Sequence, residues 1–183
     1  MLIRLIGLFK FVPFIKRLLE RKYYATGLGT YFLNSFFKRI LRINAKGDFL
    51  VHFTSRVNSP DKIIIPQDAG KEKVYLSFAT SGSCYYQAIN GIEIGTGTIW
   101  SYGCQFISAN HSKESDREHV QQRPIKIGKN VWLGSHVIIL PGVHIGNNVT
   151  VGAGSVVTKD VPSGVIVVGN PAKILKSTET NNL

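Results

Sequence analysis

Apolar residues recur with a period of six through the second half of this 183-residue chain. From Ile127 onward the sequence divides into the hexads IGKNVW, LGSHVI, ILPGVH, IGNNVT, VGAGSV and VTKDVP. The first position is always Ile, Leu or Val, and the fifth is Val in five of the six. Such a period fits neither an amphipathic helix nor an alternating strand. It predicts a prism with three flat faces, in which each hexad supplies one short strand and one corner and three hexads complete a coil.

The hexads also predict how this prism is packed. Positions one and five should point inward, and successive coils should stack in parallel at the strand spacing of ~4.8 Å. Gly occupies position two in four of the six hexads. We expect it near a tight corner, because Gly tolerates backbone angles that other residues avoid. The predicted fold class is therefore all-β, a parallel β-helix.

A weaker form of the same frame extends upstream. The hexads IGTGTI, WSYGCQ and FISANH (94–111) form one predicted coil, and LSFATS, GSCYYQ and AINGIE (76–93) form the coil before it. Ile94 and Ile127 are 33 positions apart, which exceeds three hexads by fifteen residues. Residues 112–126 are therefore predicted to leave the prism as a loop. This loop is charged, which indicates a solvated or interfacial segment, and long loops are often functional.

The net charge of +11 is concentrated at the N-terminus. Residues 1–46 contain ten Lys or Arg and one acid, Glu20, so they hold +9 of the total. Leu, Ile and Phe lie between these charges and predict short amphipathic helices, broken near Pro13. A further helix is predicted at YFLNSFFKRILR, where three apolar side chains share one face: Phe32, Phe36 and Ile40.

Two interpretations of this basic segment remain open. Basic amphipathic helices with aromatic residues suit the surface of an anionic membrane, and the same helices could pack on the protein's own body or on a neighbouring subunit. No uncharged apolar run approaches the ~20 residues of a membrane span. The high apolar content argues against a nucleic-acid partner. We divide the chain into a helical extension, 1–46, and a β-helix domain, 47–183.

The segment PIKIGKNVWLGSHVIILPGVHIGNNVTVGAGSVVTKDVPSGVIVVGNPAKILK (124–176) resembles the hexapeptide-repeat acetyltransferases. It is most similar to the galactoside and maltose acetyltransferases and to the O-acetyltransferases of surface-polysaccharide gene clusters, on the strings VWLG, ILPGV, GAGSVVTKD and GNPAK. The resemblance extends over roughly 75–176. It implies a left-handed β-helix and a homotrimer, with acetyl-CoA bound in the groove between adjacent prisms. It also implies acetyl transfer to a sugar hydroxyl in the assembly of a bacterial surface polysaccharide.

The resemblance further implies that the histidine before the looped-out segment, His111, is the catalytic base. An imidazole can remove a proton from an attacking hydroxyl near neutral pH. In the hexad frame Glu93 falls in the same column as His111, which makes it a candidate orienting partner. The loop 112–126 would then form a wall of the active site. Such a protein is expected in the cytoplasm, in possible peripheral contact with the inner face of the membrane through residues 1–46.

The remaining site residues are also carried over from the resemblance or from their place beside His111. The amide of Ser135 is expected to bind the oxyanion, and Trp132 to lie near the thioester. Further acetyl-CoA contacts are expected along the pantetheine arm at Ala153, Thr158 and Lys159, and at the nucleotide phosphates at Lys173 and Lys176. Polar residues on the preceding coils are candidates for binding the carbohydrate acceptor: Tyr85, Gln87, Asn90 and Tyr102.

Four other functions are weighed against this one. An N-acetyltransferase acting on an amino sugar nucleotide would keep the fold and the base. A zinc enzyme of the γ-carbonic anhydrase type needs two histidines five residues apart, whereas His136 and His144 are eight apart. An acyl-enzyme route would use Cys84 or Cys104, which we interpret as buried, reduced thiols without a visible base. A scaffold that does not bind acetyl-CoA is the fourth. No metal site is expected.

Overall fold

Short parallel strands stack into three sheets, which form the three faces of a prism. The computed structural model describes residues 13–112 and 119–177. Face A contains β1 (Arg56–Asn58), β3 (Tyr85–Gln87), β6 (Gln105–Ile107), β9 (Ile138–Ile139) and β12 (Val156–Val157). Face B contains β2 (Ile63–Ile64), β4 (Ile92–Ile94), β7 (Ile125–Ile127) and β10 (His144–Ile145). Face C contains β5 (Ile99–Trp100), β8 (Trp132–Leu133), β11 (Thr150–Val151), β13 (Val165–Val168) and the antiparallel β14 (Lys173–Ser177). The predicted fold, a left-handed parallel β-helix, is confirmed.

The register of the strands confirms the hexad frame from Ile94 onward. On face B, Ile94 pairs with Ile127, so the coil between them carries the fifteen extra residues. The next coil is regular, because Trp132 pairs with Thr150, three hexads later. The side chains at positions one and five are buried along these coils, including Phe106, Leu133, Ile139, Val131, Val137 and Val149. The apolar period of six therefore fills the interior of the prism.

The role predicted for the glycines at position two is wrong in detail. Left-handed backbone angles occur at position four of the hexad instead, at Gly103, Asn130, His136, Gly142, Asn148 and Gly154. Position two is small because adjacent coils approach closely there. A Cβ added to Gly95 would lie 2.5 Å from the carbonyl carbon of Gly128, and one added to Gly134 would lie 2.6 Å from the amide nitrogen of Ala153. The glycines at position two therefore permit the coils to stack.

The coil predicted over residues 76–93 is wrong in its first hexad. Residues 76–80 lie within a helix, α3 (Lys71–Thr80), and β3 pairs with β6 at an offset of twenty residues instead of eighteen. The other two hexads contain β3 and most of β4. The apolar side chains of this stretch were compatible with either structure. Helix α3 buries Val74 and Phe78 completely, and the ring of Phe78 packs edge-on against Trp100 at a centroid distance of 4.8 Å.

Helix α3 also closes the N-terminal end of face C. The amide of Trp100 on the edge strand β5 donates to Ser77 Oγ at 3.4 Å, and the Trp100 carbonyl accepts from Ser81 Oγ at 2.7 Å. These two serines provide the hydrogen bonds that a preceding strand would have provided.

Two N-terminal helices pack against this end of the prism. They are α1 (Pro13–Glu20) and α2 (Leu28–Arg39), joined through a 3₁₀ turn at Tyr23–Thr26; a second 3₁₀ turn spans Pro60–Lys62. Leu18, Tyr23 and Tyr31 belong to the same buried cluster as the prism interior. Asn34 is buried too, donates to the Ala79 carbonyl at 2.9 Å and accepts from the Phe53 amide at 3.0 Å. The extension therefore packs on the protein's own body. The helix predicted before Pro13 lies outside the described residues.

The apolar face predicted for α2 points away from the body. Phe32, Phe36 and Ile40 are 59%, 49% and 65% exposed. The buried face of α2 is instead the one that contains Tyr31, Asn34 and Ser35. Within the described residues, no helix is both long and apolar enough to cross a membrane.

Candidate functional site

The looped-out segment leaves the prism through a neck, formed by residues 108–111 and 119–120. This neck holds His111 at the edge between faces A and B. The Val120 amide donates to the Asn110 carbonyl at 3.0 Å, and His111 and His119 form an isolated antiparallel bridge. The side chain of His111 is exposed. Residues 113–118, which carry most of the charge of the predicted loop, lie outside the described residues. The structure thus places His111 where the chain leaves the coil, as the sequence predicts.

Two of the residues predicted to bind the acceptor contact this neck. Asn90 Nδ2 donates to the carbonyl of Ser108 at 3.0 Å and to that of Val120 at 2.9 Å. The backbone amide of Asn90 also donates to Ser108 Oγ at 3.0 Å. Gln87 Oε1 accepts from the Ala109 amide at 3.0 Å. Asn90 and Gln87 therefore hold the two chain segments that enter and leave the loop.

A second histidine, His119, contacts His111 across the neck. The two ring centroids are 4.8 Å apart and the ring planes meet at 41°. His119 Nδ1 is buried and has no hydrogen-bond partner among the described residues. In the sequence, His119 is one of the polar and charged residues of the predicted loop. The signal that could have found it is the pair of histidines, His111 and His119, that flank the charged residues 113–118.

The orienting partner predicted for His111 is wrong. Glu93 lies on β4, where it pairs with Lys126 in the parallel ladder, and its carboxylate is 3.2 Å from Lys126 Nζ. The fifteen inserted residues cause this difference. They displace His111 from the regular coil, so the residue stacked on Glu93 is Lys126.

Thr158 and Lys159 lie on the same edge as His111, in later coils. They line an open cleft of 430 Å³ together with Arg123 and Pro141–Val143. Asp160 also lines this cleft, and Arg123 binds it: Arg123 Nη2 lies 2.8 Å from each carboxylate oxygen of Asp160. Asp160 also accepts from the His144 amide at 2.9 Å; this bond, followed by the bond from Arg123, lowers the pKa of the Asp160 carboxyl. The C-terminal end of the loop is thereby anchored to a later coil.

The other predicted acetyl-CoA contacts lie on a different part of the prism. Trp132 is 54% exposed on face C, and Ser135 and Ala153 occupy stacked turns at the edge between faces C and A. Lys173 and Lys176 are exposed on β14 of face C. Face A separates all five from His111. Within one chain, the structure does not bring the predicted base and these predicted acetyl-CoA contacts together.

The two predicted tyrosine contacts are separated as well. Tyr85 is half-buried on face A, where it pairs with Gln105. Tyr102 is exposed at the edge between faces C and A, and its ring packs edge-on against His136 at 5.3 Å. Tyr85 therefore lies on face A, and Tyr102 lies at the edge that face A separates from His111.

The cysteines do not offer a nucleophile at this site. Cys84 and Cys104 are free and buried. Burial raises the pKa of the Cys104 thiol to about 12 and also raises that of Cys84. Because the thiolate is the reactive form, both thiols are poorly suited to an acyl-enzyme route.

Comparison with known proteins agrees with this geometry. The family described as bacterial transferase hexapeptide (six repeats) matches residues 124–159. Residues 124–159 of this chain are therefore hexapeptide repeats. The weaker hexads before the loop, in residues 94–111, continue the same prism upstream of the matched range, because β4 pairs with β7 and β5 pairs with β8.

Three relatives are informative. The chain is 57% identical over 53 residues to galactoside O-acetyltransferase of Escherichia coli, which covers 29% of this chain and 26% of the relative. A hexapeptide-repeat acetyltransferase of Vibrio cholerae, solved with acetyl coenzyme A, is 30% identical with a TM-score of 0.51; the match covers 69% of this chain and 66% of that one. An N-acyltransferase from Bacillus cereus, solved with dTDP and coenzyme A, shares the fold at 18% identity and a TM-score of 0.52, over 73% of this chain and 82% of that one. The chain spans about a quarter of the length of the first relative and about two-thirds of that of the second.

Proposed function

We propose that this protein transfers the acetyl group of acetyl-CoA to a hydroxyl of a carbohydrate acceptor, with His111 as the general base. The observation that carries the proposal is the position of His111. It is exposed at a prism edge, on a loop neck whose two segments are held by Asn90. The similarity to galactoside O-acetyltransferase and to an acetyltransferase that binds acetyl coenzyme A supports the same reaction.

The proposed chemistry needs a base, an acetyl donor within reach and a stabilised oxyanion. The imidazole of His111 removes the proton of the acceptor hydroxyl as its oxygen attacks the thioester carbonyl. The tetrahedral intermediate collapses, the carbon–sulfur bond breaks, and the proton passes from His111 to the thiolate of coenzyme A. The products are an acetyl ester and free coenzyme A. The Ser135 amide is the proposed donor to the oxyanion.

The residues proposed to hold acetyl-CoA suit an anionic nucleotide. Lys159 is an exposed cation at the edge between faces A and B, and Lys173 and Lys176 are exposed cations on β14 of face C. Cations of this kind attract phosphate groups. Trp132, Ala153 and Thr158 are exposed and uncharged.

We further propose that the active protein is a homotrimer with its sites between copies. His111 lies at the edge between faces A and B, whereas Ser135 and Lys173 lie beyond face A. If the edge between faces A and B of one copy faces the edge between faces C and A of the next, one groove contains both His111 and the residues proposed to hold acetyl-CoA. Cyclic symmetry then generates three equal grooves. Gln87, Asn90, Tyr85 and Tyr102 remain candidates for lining the acceptor side.

The acceptor is proposed to be a sugar unit of a bacterial surface polysaccharide, modified in the cytoplasm. The resemblance to polysaccharide O-acetyltransferases supports this setting. Galactoside O-acetyltransferase, named for a sugar substrate, supports a carbohydrate acceptor more generally.

The test is acetyl-CoA turnover, measured as free thiol release, against sugars, amino sugars and sugar nucleotides. We expect turnover with a hydroxyl acceptor and a loss of about 10²-fold or more in kcat for His111→Asn. His52→Gln is the matched control, because His52 lies before the first strand of the prism, where it contacts Thr54. Turnover with an amino acceptor alone would assign the protein to N-acetyl transfer. Full activity in His111→Asn would contradict the proposed base.

A further inference from the structure

The exposed face of α2 is continuous with a basic cavity. Six large apolar side chains are exposed between residues 28 and 41: Leu28, Phe32, Leu33, Phe36, Ile40 and Leu41. Contiguous exposed apolar patches of this kind usually mark an interaction surface. The opposite face of the helix is already occupied by the protein's own body, so the patch is not explained by packing within the chain.

The cavity lies between α1 and α2, with a volume of 80 Å³, and four cations line it: Arg17, Arg21, Lys38 and Arg39. The only carboxylate in its described lining is that of Asp48, which is bound by Arg21. Lys38 donates to the carbonyls of Gly47 and Phe49, both of which are neutral groups. The lining therefore carries an excess of positive charge, which favours an anion.

The titration of Lys38 agrees with this excess. Burial lowers the pKa of Lys38 to about 8; the attraction of Asp48 opposes this effect, and the repulsion of Arg17, Arg21 and Arg39 adds to it. A bound anion would relieve that repulsion.

The apolar patch and the cavity share a border. Tyr31 lines the cavity, and its ring packs edge-on against Phe32 of the patch at a centroid distance of 5.7 Å. Arg39 lines the cavity and follows Phe36 by three residues on the helix, which places the two on adjoining positions of one surface. A ligand that covers both features must combine a negative group with an apolar body.

We propose that the apolar patch of α2 and the adjoining basic cavity dock the protein on an anionic membrane surface, with a lipid headgroup phosphate at the cavity and the aromatic side chains among the acyl chains. Charge complementarity selects this occupant. Residues 28–47 contain Lys38, Arg39, Arg42 and Lys46 and no acid. A second copy would bring the same positive charge to the interface, whereas an anionic bilayer offers both the opposite charge and an apolar interior.

Membrane docking is independent of acetyl transfer, and vesicle binding does not involve the acetyl-CoA site. The full chain is sedimented with vesicles of phosphatidylcholine alone and of phosphatidylcholine with phosphatidylglycerol. We expect binding to the anionic vesicles only. Phe32→Ser with Phe36→Ser should lower the partition coefficient about tenfold or more, and Arg39→Gln about fivefold. Deleting residues 1–46 is unsuitable, because Tyr23, Tyr31 and Asn34 are part of the packed interior.

Matched controls separate this surface from general stickiness. Ile64→Ser removes an apolar side chain that is 57% exposed on face B, and Lys73→Gln removes an exposed positive charge on α3; neither should change vesicle binding. The proposal is overturned by equal binding to both vesicle types, by no binding, or by unchanged binding of the Phe32 and Phe36 variant. It is also overturned if that variant changes the oligomeric state, which would make the patch a contact between copies. Binding of inorganic phosphate without vesicle binding would assign the cavity to a soluble anion.

Discussion

Asn90 holds both sides of the loop neck, because its side-chain amide donates to the carbonyls of Ser108 and Val120, at 3.0 and 2.9 Å. These carbonyls lie twelve residues apart in sequence, on the two segments of the neck. One side chain therefore sets the geometry of the segment that carries His111.

The first prediction concerns this contact. Asn90→Asp keeps the shape of the side chain but replaces two donated hydrogen bonds with repulsion between a carboxylate and two carbonyls. The loss of such bonds costs about 1–3 kcal/mol. We expect kcat to fall about tenfold or more, with a small change in the KM for acetyl-CoA. Steady-state kinetics in both substrates measures the effect.

Asn147→Asp is the control for Asn90→Asp. Asn147 accepts from the Lys129 amide through Oδ1, at 2.7 Å, and an aspartate can still accept that bond. Its kinetics should match those of the wild type. A fall in kcat for the control as large as for Asn90→Asp would show that the loop neck is not the cause.

The second prediction tests whether each active site is shared between copies. His111→Asn and a Lys173→Glu, Lys176→Glu variant should each be nearly inactive alone. When the two are unfolded and refolded together in equal amounts, a shared groove receives an intact His111 edge and an intact lysine edge in about a quarter of cases. We expect about a quarter of wild-type activity to return. No recovery in mixed trimers would mean that one chain supplies the whole site.

The third prediction concerns pH and Lys38. Its pKa is lowered to about 8 in the folded protein from 10.5, mainly because burial disfavours the charged form. Between these two values the unfolded chain binds the extra proton, so the free energy of unfolding rises as the pH rises from about 8 to 10.5. Relative to Lys38→Met, the wild type should gain no more than about 1–2 kcal/mol over this range, since Lys38 is partly accessible to solvent.

Urea unfolding of both proteins at several pH values measures this difference. Groups other than Lys38 titrate equally in the two proteins and cancel. If the free energy of unfolding of the wild type, minus that of Lys38→Met, stays constant or falls as the pH rises, the burial of a charged Lys38 is contradicted.

The fourth prediction concerns the glycines at position two. A methyl group at Gly134 would lie 2.6 Å from the Ala153 amide nitrogen, which belongs to the backbone of the next coil and cannot move aside easily. We expect Gly134→Ala to destabilise the protein by about 2 kcal/mol or more. Gly29→Ala is the control, because no atom lies within 4 Å of the added group on α2. It should stabilise the helix by about 0.5–1 kcal/mol. Thermal unfolding measures both, and similar effects in the two variants would contradict the close stacking.

The sequence was most informative where structure repeats locally. The hexads from Ile127 onward predicted which side chains point inward, and the offset from Ile94 to Ile127 predicted the size of the insertion. Residues 76–80 form a helix where the hexads predict a coil, because apolar spacing over one hexad does not distinguish a strand from a turn of helix. The distinction depends on Ser77 and Ser81, whose bonds to Trp100 join segments about twenty residues apart.

The candidate site was predictable only in part. The resemblance identified His111 by its place before the loop, but no local pattern could show that Asn90 bonds to Val120, thirty residues away. The same limit applies to α2. Its apolar stripe at Phe32 and Phe36 was visible in the sequence, yet the face that packs inward contains Asn34, whose partners Ala79 and Phe53 are distant in sequence.

The serine contacts between α3 and β5 have a consequence for assembly. A stack of parallel coils has no inherent end, since each terminal strand offers unpaired amides and carbonyls to the next. At Trp100 both groups are already bonded to Ser77 and Ser81, so face C cannot recruit a strand from another molecule there. Terminal units with this role keep repeat proteins from growing into fibres. The helix that ends the prism thus also sets its length, and limits growth by end-to-end addition at that end.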